Sequence, residues 1–534
     1  MTRPDRVLLA FMPYGHVRYP ALGLSLLKAA LVRRGIRCDA VYFNVRWAER
    51  HLTGSPEERF AQHFELGNVW ELYHPAEACF ARLVSPRIEA RCRRLVEDVP
   101  PSPIRDQLEW LWDRAPLFLE ECLAEVDWGR YAVVGFSSTF NQNLASLALA
   151  QALKRRHPHL TIVLGGPNAE GVMGEELCRS YPFLDYAIGG DADESLPLLV
   201  ERLRAGLDPG PIPGLVRRRG DGLESYPARP VDDMDGLPYP DFDDWFAEMA
   251  GTTLAGARAF AGARRIPFES SRGCWWGAKH HCTFCGLNGY GMNFRSKSPD
   301  RFLAELVHLH ERYRPDKVCA MDNIMDHRYY REVLPRLAGL GLPIELSYDV
   351  KSNLRRDDVR SLRAAGVLEV EAGIESLSSP VLQRMKKGVT FLQNVQMMRL
   401  AREYGVRLNW QHLYGFPGET FEEYAGIPDS VPSLHHLEAP SSEETAKVSV
   451  QRYSPYFTHP ETFGIAAVRP ARPYAEVYDV PAGSLERIAY RFDYDLTLAL
   501  ILMNADGTIY HEYGGRDQGN AAGYLAMRSL ASCT

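Results

Sequence analysis

Three cysteines crowd into one short stretch, PFESSRGCWWGAKHHCTFCGLNG, residues 267–289. Cys274 is followed after seven residues by Cys282, and Cys282 after two by Cys285. Three thiolates at this range can each hold one iron of a four-iron, four-sulfur cluster and leave the fourth iron open. An open iron can bind and reduce a substrate, whereas a cluster that only carries electrons usually has four Cys ligands. Gly273, Gly277, Gly286 and Gly289 let the backbone approach the sulfides, and Trp275, Trp276 and Phe284 can exclude water. The same stretch would also suit zinc if His280 or His281 supplied a fourth ligand, and spacing alone leaves both readings open.

A loop of this kind needs elements to carry it. IPFESS reads as a strand that delivers the first cysteine, and an alternating series follows. The strands are DKVCAMDNIMD, PIELSYDVKSN, VLEVEAGIES and VRLNWQHLYGF, with helices between them, and AKVSVQ is a sixth candidate strand. One helix, DRFLAELVHLHERY, has Ser298 at its cap and Pro299 in its first turn. Such a series predicts a partial parallel (β/α)6 barrel whose reactive face is the carboxyl end of its strands. Polar residues gather at those ends: Asp322 and Asn323, then Tyr348, Lys351 and Asn353, then Glu375 and Ser376.

Residues 1–208 alternate in the same way. VLLAF, CDAVYF, YAVVGFSSTF and TIVLGGPNA read as strands, and residues 47–125 as a mostly helical interruption with Trp70, Trp110 and Trp112. The alternation predicts a Rossmann-like, doubly wound parallel sheet, with any ligand at the carboxyl ends of its strands. Those ends hold His16, Ser137, Ser138, Asn141, Gly165, Gly166 and Gly189. No G-x-G-x-x-G is present, which disfavours a nicotinamide dinucleotide. Residues 209–265 read as a connector, opening with a hairpin that turns at Gly220–Gly222. The barrel is expected over 266–465. Residues 466–534 read as a small α/β cap or peptide-docking element, with a hairpin turning at Asn504–Gly507, a closing helix NAAGYLAMRSL and an exposed thiol at Cys533.

At 534 residues the chain needs two or three cores. Apolar residues at 46 % and charged residues at 24 % describe a globular composition, with no run long enough to span a membrane. The net charge of −7 gives no support for broad nucleic-acid binding. Ten cysteines with no secretory signal point to metal binding in a reducing cytoplasm.

The cysteine stretch resembles the cluster loop of radical S-adenosylmethionine (SAM) enzymes, with an aromatic residue, Phe284, just before the last cysteine. Most of that superfamily has three residues between the first two cysteines. The longer insert, with GCWWG and HCTFCGLNG, is similar to one narrower family: the radical enzymes that mature ribosomally made peptides and carry an N-terminal cobalamin-binding-like domain. MDNIMD, YDVKSNL, GIESLSSPVLQRMKKGVT, YGFPGET and RYSPYFTHPETFGI match that family in kind and order, and Glu371 stands where a neutral residue is expected.

The resemblance implies a [4Fe–4S] cluster on Cys274, Cys282 and Cys285, with SAM chelating the open iron. Lys351 and Ser376 suit the SAM carboxylate, and Glu375 its ribose. Asp322, Asn323, Tyr348, Asn353 and Phe284 complete the expected shell. In the N-terminal domain TIVLGG and GGDADES carry a resemblance to cobalamin-binding domains, without the Asp-x-His-x-x-Gly motif that offers a His to cobalt. This implies base-off cobalamin over Ser137, Ser138, Asn141, Gly165, Gly166 and Gly189. The expected reaction is cobalamin-dependent C-methylation of a precursor peptide, with flavodoxin or ferredoxin as electron donor and neither membrane nor nucleic acid as partner. The rivals are a peptide epimerase or cross-linking enzyme with an idle cobalamin domain, a tRNA methylthiotransferase, and a zinc-bound scaffold.

Overall fold

The structure, a computed structural model, describes residues 5–256, 264–289, 291–440, 445–495, 497–503 and 509–516. The chain forms two compact units: residues 1–267 with 470–489, and residues 268–469 with 490–534.

The first unit is built on a seven-stranded sheet. Its strands are β1 (Arg6–Phe11), β2 (Cys38–Tyr42), β3 (Tyr131–Ser137), β4 (Thr161–Gly165), β5 (Tyr186–Ile188), β6 (Leu215–Arg219) and β7 (Gly222–Ser225), in the order 2-1-3-4-5-6-7. The first five run parallel, and β6 and β7 are added antiparallel. Val7, Leu9, Val133, Val163 and Ile188 pack with Leu24, Leu31, Leu196 and Leu199 from the helices Leu22–Arg33 and Ser195–Arg204. A parallel sheet covered on both faces needs such continuous apolar runs, which is why VLLAF is uninterrupted. The strand order reverses between β1 and β3, the switch point where open α/β sheets hold ligands. Five helices between Phe43 and Glu125 interrupt the series, as the sequence predicts.

The expected connector belongs to this unit. The β6–β7 hairpin turns at Gly220 and Asp221 and extends the sheet. The helix Asp243–Ala250 is tied back by Asp244, which takes the Ala40 amide at 2.7 Å and the buried Lys28 ammonium at 2.7 Å. The expected C-terminal element is divided. Residues 470–489 join the first unit: Arg487 pairs with Glu175 and Glu176, and Asn143 donates to the Tyr478 hydroxyl at 2.8 Å.

The second unit carries the barrel series. It runs β8 (Arg265–Phe268), the two-residue strands β9 (Ser271–Arg272) and β10 (Arg295–Ser296), then β11 (Lys317–Ala320), β12 (Glu345–Val350), β13 (Val367–Ala372) and β14 (Arg407–Asn409). A five-stranded sheet has the order 14-13-12-11-8, parallel from β11 to β14. The expected fifth strand breaks after Asn409. Its second half, β15 (His412–Tyr414), pairs in parallel with β16 (Thr445–Lys447), and a bridge between Glu375 and His412 joins β15 to the end of β13. The helix Pro299–Tyr313 starts as expected, with the Ser298 hydroxyl accepting from the Arg301 amide. Strands β17 (Val450–Gln451), β18 (Ala466–Pro470) and β19 (Arg491–Asp495) form a small sheet. The C-terminal hairpin pairs residues 497–503 with 509–516; its turn, the closing helix and Cys533 lie outside the described residues.

Candidate active site at the cysteine loop

β8 ends at Phe268, and residues 269–273 lead into the cysteine loop. Gly273 has φ +78°, and a Cβ there would sit 2.2 Å from the Asn293 carbonyl, so only glycine brings the chain into Cys274. The Gly277 amide donates to the Cys274 sulfur at 3.3 Å. The Cys285 amide donates to the Cys282 carbonyl at 3.1 Å, a tight turn that brings the last two thiols together. All three cysteines are free thiols, half-buried. Beyond them, the Gly286 amide donates to Gln451 at 3.0 Å and Tyr490 donates to the Gly286 carbonyl at 3.1 Å. The small C-terminal sheet therefore holds the far end of the loop, through Gln451 of β17 and Tyr490 just before β19.

The two histidines are engaged elsewhere. His281 Nε2 bonds the Cys285 carbonyl at 2.8 Å, and the His280 ring lies 4.6 Å from the Trp276 ring. Among the described residues no three His, Cys, Asp or Glu side chains converge to hold a single ion. A cluster, which binds each sulfur on a different iron, suits these three thiols better than a zinc site does. Burial pushes the Cys285 thiol up to about 11 and raises Cys282 as well, and Lys387 partly opposes both. Iron binding must therefore displace protons from the loop.

The expected SAM shell divides in two. Asp322, Tyr348 and Ser376 are buried and turned inward, the first two toward the backbone that leads to the cysteines and Ser376 toward Ser378 and Asn394. Asp322 accepts from the Ser270 amide at 2.8 Å, from the Ser270 hydroxyl, and from the Ser271 hydroxyl at 2.9 Å. Burial outweighs these bonds and lifts its carboxyl to about 6. Tyr348 donates to the Ser270 hydroxyl at 2.9 Å. Ser376 accepts from the Ser378 amide at 3.1 Å, and its carbonyl accepts from the buried Asn394 at 3.0 Å. Asn323 donates to Asn288 at 3.0 Å, and Asn353 lies exposed in the turn after β12.

Phe284, Lys351 and Glu375 do gather at the thiols, together with a residue to which sequence reasoning gave no role, Lys387. Lys387 donates to Glu375 Oε1 at 2.5 Å and lies 5.9 Å from the Phe284 ring centre. Although burial opposes its charge, Glu375 and Cys282 hold Lys387 well above the ordinary lysine range. It stands in MKKG, just beyond the helix Ser379–Arg384, with no local cue that separates it from its neighbour Lys386. Glu375 has φ +48°, a left-handed conformation that costs a non-glycine residue about 1 kcal/mol. Its second oxygen, Oε2, is buried with no hydrogen-bond partner. A strained acid with one satisfied and one orphaned oxygen fits a ligand that brings a hydroxyl donor, as the SAM ribose does. Glu371, the departure noted in the sequence, is the cross-strand partner of Asp349, whose carboxyl is pushed well up by burial and then by Glu371 and Asp322.

In the first unit the expected cobalamin contacts also divide. Ser138 and Asn141 are buried; Asn141 donates to the Leu66 carbonyl at 2.9 Å, and Ser138 accepts from Asn168 at 2.8 Å. A Cβ on Gly166 would lie 2.7 Å from the Ser138 carbonyl, and one on Gly189 3.1 Å from the Ala169 carbonyl. Close packing of the chain accounts for both glycines. Ser137, Gly165 and Gly166 line an apolar slot with Leu9, Leu24 and Leu196. A Cβ on Gly165 would meet nothing closer than 3.8 Å. The slot's apolar walls suit a flat ring, but its cavity is small, about 40 Å³. His16 is stacked on Tyr19 at 4.8 Å, and burial holds its imidazole down at about 4.

Three comparisons bear on this geometry. An uncharacterised methyltransferase of Pyrococcus horikoshii is 26 % identical over 299 residues, 54 % of this chain and 62 % of that protein. The chain also resembles the solved cobalamin-dependent SAM radical enzyme OxsB, with TM-score 0.60 and 13 % identity over 92 % of this chain and 64 % of OxsB. The radical SAM methyltransferase TsrM of Kitasatospora setae, solved with cobalamin and a [4Fe–4S] cluster, gives TM-score 0.57 and 17 % identity over 92 % of this chain and 83 % of TsrM. At these identities the two structures show a common α/β fold. The chain thus spans under two thirds of the length of its Pyrococcus relative and of OxsB. The sequence model of the radical SAM superfamily matches residues 268–429, which contain all three cysteines, Glu375 and Lys387, and this part of the chain is a radical SAM domain, the kind that works with a [4Fe–4S] cluster and SAM.

Proposed function

We propose that the chain is a radical SAM enzyme that methylates an unactivated carbon in a ribosomally made precursor peptide, with cobalamin in its N-terminal unit. The observation that carries the radical half is the thiol trio beside Glu375, whose orphaned Oε2 awaits a donor. The methyl half is supported by the β1/β3 switch point and by the fold likeness to OxsB and TsrM, both described as radical SAM enzymes that bind cobalamin. The peptide substrate rests on the resemblance carried by GCWWG, HCTFCGLNG, GIES and GFPGE.

When bound, the cluster and SAM supply a carbon-centred radical, and cobalamin supplies the methyl group. The chain's own residues do the rest. Cys274, Cys282 and Cys285 would hold the cluster by three of its irons and leave the fourth for SAM. Glu375 would orient the ribose through Oε2 while Lys387 holds Oε1, and Trp275, Trp276 and Phe284 would keep water from the thiols. The electron donor is proposed to be flavodoxin or ferredoxin.

The narrow slot beside Gly165 favours a second reading, an epimerase or cross-linking enzyme that leaves cobalamin unused. One experiment separates the two: anaerobic co-expression with a short peptide encoded beside this chain, then mass spectrometry of the product and assay of bound cobalamin. Gain of one methyl group with cobalamin retained supports methylation. A product of unchanged mass with an inverted residue, or one two hydrogens lighter, overturns it.

A further inference from the structure

The first span of the cysteine loop, seven residues from Cys274 to Cys282, is long for a segment that must present sulfurs at fixed positions. We propose that Trp276, Lys351 and Gly388 form a latch that closes this span and sets Cys274 against Cys282 and Cys285 before any cluster is loaded. This rests on reading the three thiols as cluster ligands.

The latch is built on the end of the helix Ser379–Arg384. The last carbonyls of a helix have no partner within it and must find donors elsewhere. Here the helix's last carbonyl and the three that follow it all accept from donors outside the helix. Arg384 accepts from the Thr283 hydroxyl at 3.4 Å and Met385 from the Thr283 amide at 3.1 Å. Lys386 accepts from the Trp276 indole at 3.1 Å, and Lys387 from the Lys351 ammonium at 2.5 Å. Three of these bonds come from within the cysteine loop, one from near its start and two from Thr283, between Cys282 and Cys285. One short segment therefore fixes both ends of the long span.

Lys351 closes the arrangement. Its ammonium lies 3.7 Å from the Trp276 ring centre, a close cation–π contact, while bonding the Lys387 carbonyl. Gly388, at φ +68°, passes under the indole so closely that a Cβ would sit 2.1 Å from a ring carbon. Trp275, perpendicular to Trp276, is pinned separately through the Met325 carbonyl at 3.0 Å. Lys351 thus acts as a positioning residue, and of the two lysines near the thiols it is Lys387 that bonds Glu375.

The test uses full-length protein with Lys351→Met, Lys351→Arg, Trp276→Leu and Gly388→Ala. Two quantities are read: the rate at which a chelator strips iron from the reconstituted protein, and amide hydrogen exchange over residues 275–283 in the cluster-free protein. The latch predicts at least tenfold faster iron loss and faster exchange in K351M, W276L and G388A, and near-normal behaviour in K351R, which keeps a cation over the indole. Wild-type iron retention and exchange in K351M, with weakened SAM binding, would overturn the latch and return Lys351 to the SAM shell. A wild-type protein that takes up no iron would instead defeat the cluster reading, a distinguishable result.

Discussion

Replacing Glu375 by Gln tests whether its orphaned oxygen is the SAM anchor. In the wild type, Oε1 is held by Lys387 at 2.5 Å, and Oε2 is buried and unbonded. A hydroxyl donating to Oε2 would make a hydrogen bond to a charged group, worth about 1.5–3 kcal/mol. Gln keeps the size and one carbonyl oxygen, which Lys387 will claim. Its amide group then stands where Oε2 stood, and a donor faces the incoming donor. The lost bond predicts SAM binding weaker by about 10- to 100-fold, since ~1.4 kcal/mol is a factor of ten. Iron content should not change, because among the described residues the Glu375 side chain bonds Lys387 and not the cysteine loop. Equilibrium dialysis of SAM against anaerobically reconstituted protein, with iron counted in the same samples, measures both. A dissociation constant within twofold of wild type at equal iron would refute the assignment. Loss of iron in step with affinity would also refute it, by showing that Glu375 acts through the loop.

Gly165→Leu should leave the first unit folded, because a Cβ there meets nothing closer than 3.8 Å, yet fill the slot. Cobalamin retention should then fall at least tenfold with iron and SAM binding unchanged; full retention would place cobalamin elsewhere. His63 gives a pH prediction. It is buried, donates to the Pro13 carbonyl at 2.8 Å, and burial holds it down at about 4. A base depressed in the fold contributes stability that is complete above the unfolded value of about 6.5 and is lost as pH falls toward 4. The difference amounts to roughly 3 kcal/mol. His63→Gln keeps the donor and removes the titration. Urea unfolding at pH 7 and 4.5 should therefore show a shallower acid loss in H63Q than in wild type, and equal losses would count against the buried neutral imidazole.

What the sequence disclosed follows from range. VLLAF and the glycine-closed helices are local patterns, so both sheets were legible, and the cysteine spacing is a local chemical signal. Residues whose roles depend on distant partners were not. Asp322 and Tyr348 looked like ligands because they end strands with polar side chains, but Ser270 and Ser271 draw them inward. Two hydroxyl residues that precede a metal loop are ordinary in a sequence; only in the fold does the strand end carrying the cysteines need that brace. The same logic separates Lys351 from Lys387. Both are lysines in quoted motifs, and nothing in YDVKSNL or MKKG ranks them. The difference arises because Gly388 admits Trp276, the indole draws Lys351, and the position beside Glu375 is left to Lys387. A glycine with no chemistry of its own thus decides which lysine bonds Glu375. Substituting it should redistribute the two lysines, and that makes Gly388→Ala, more than any charge change, the variant most able to show that the long loop and the cation assignment are one design.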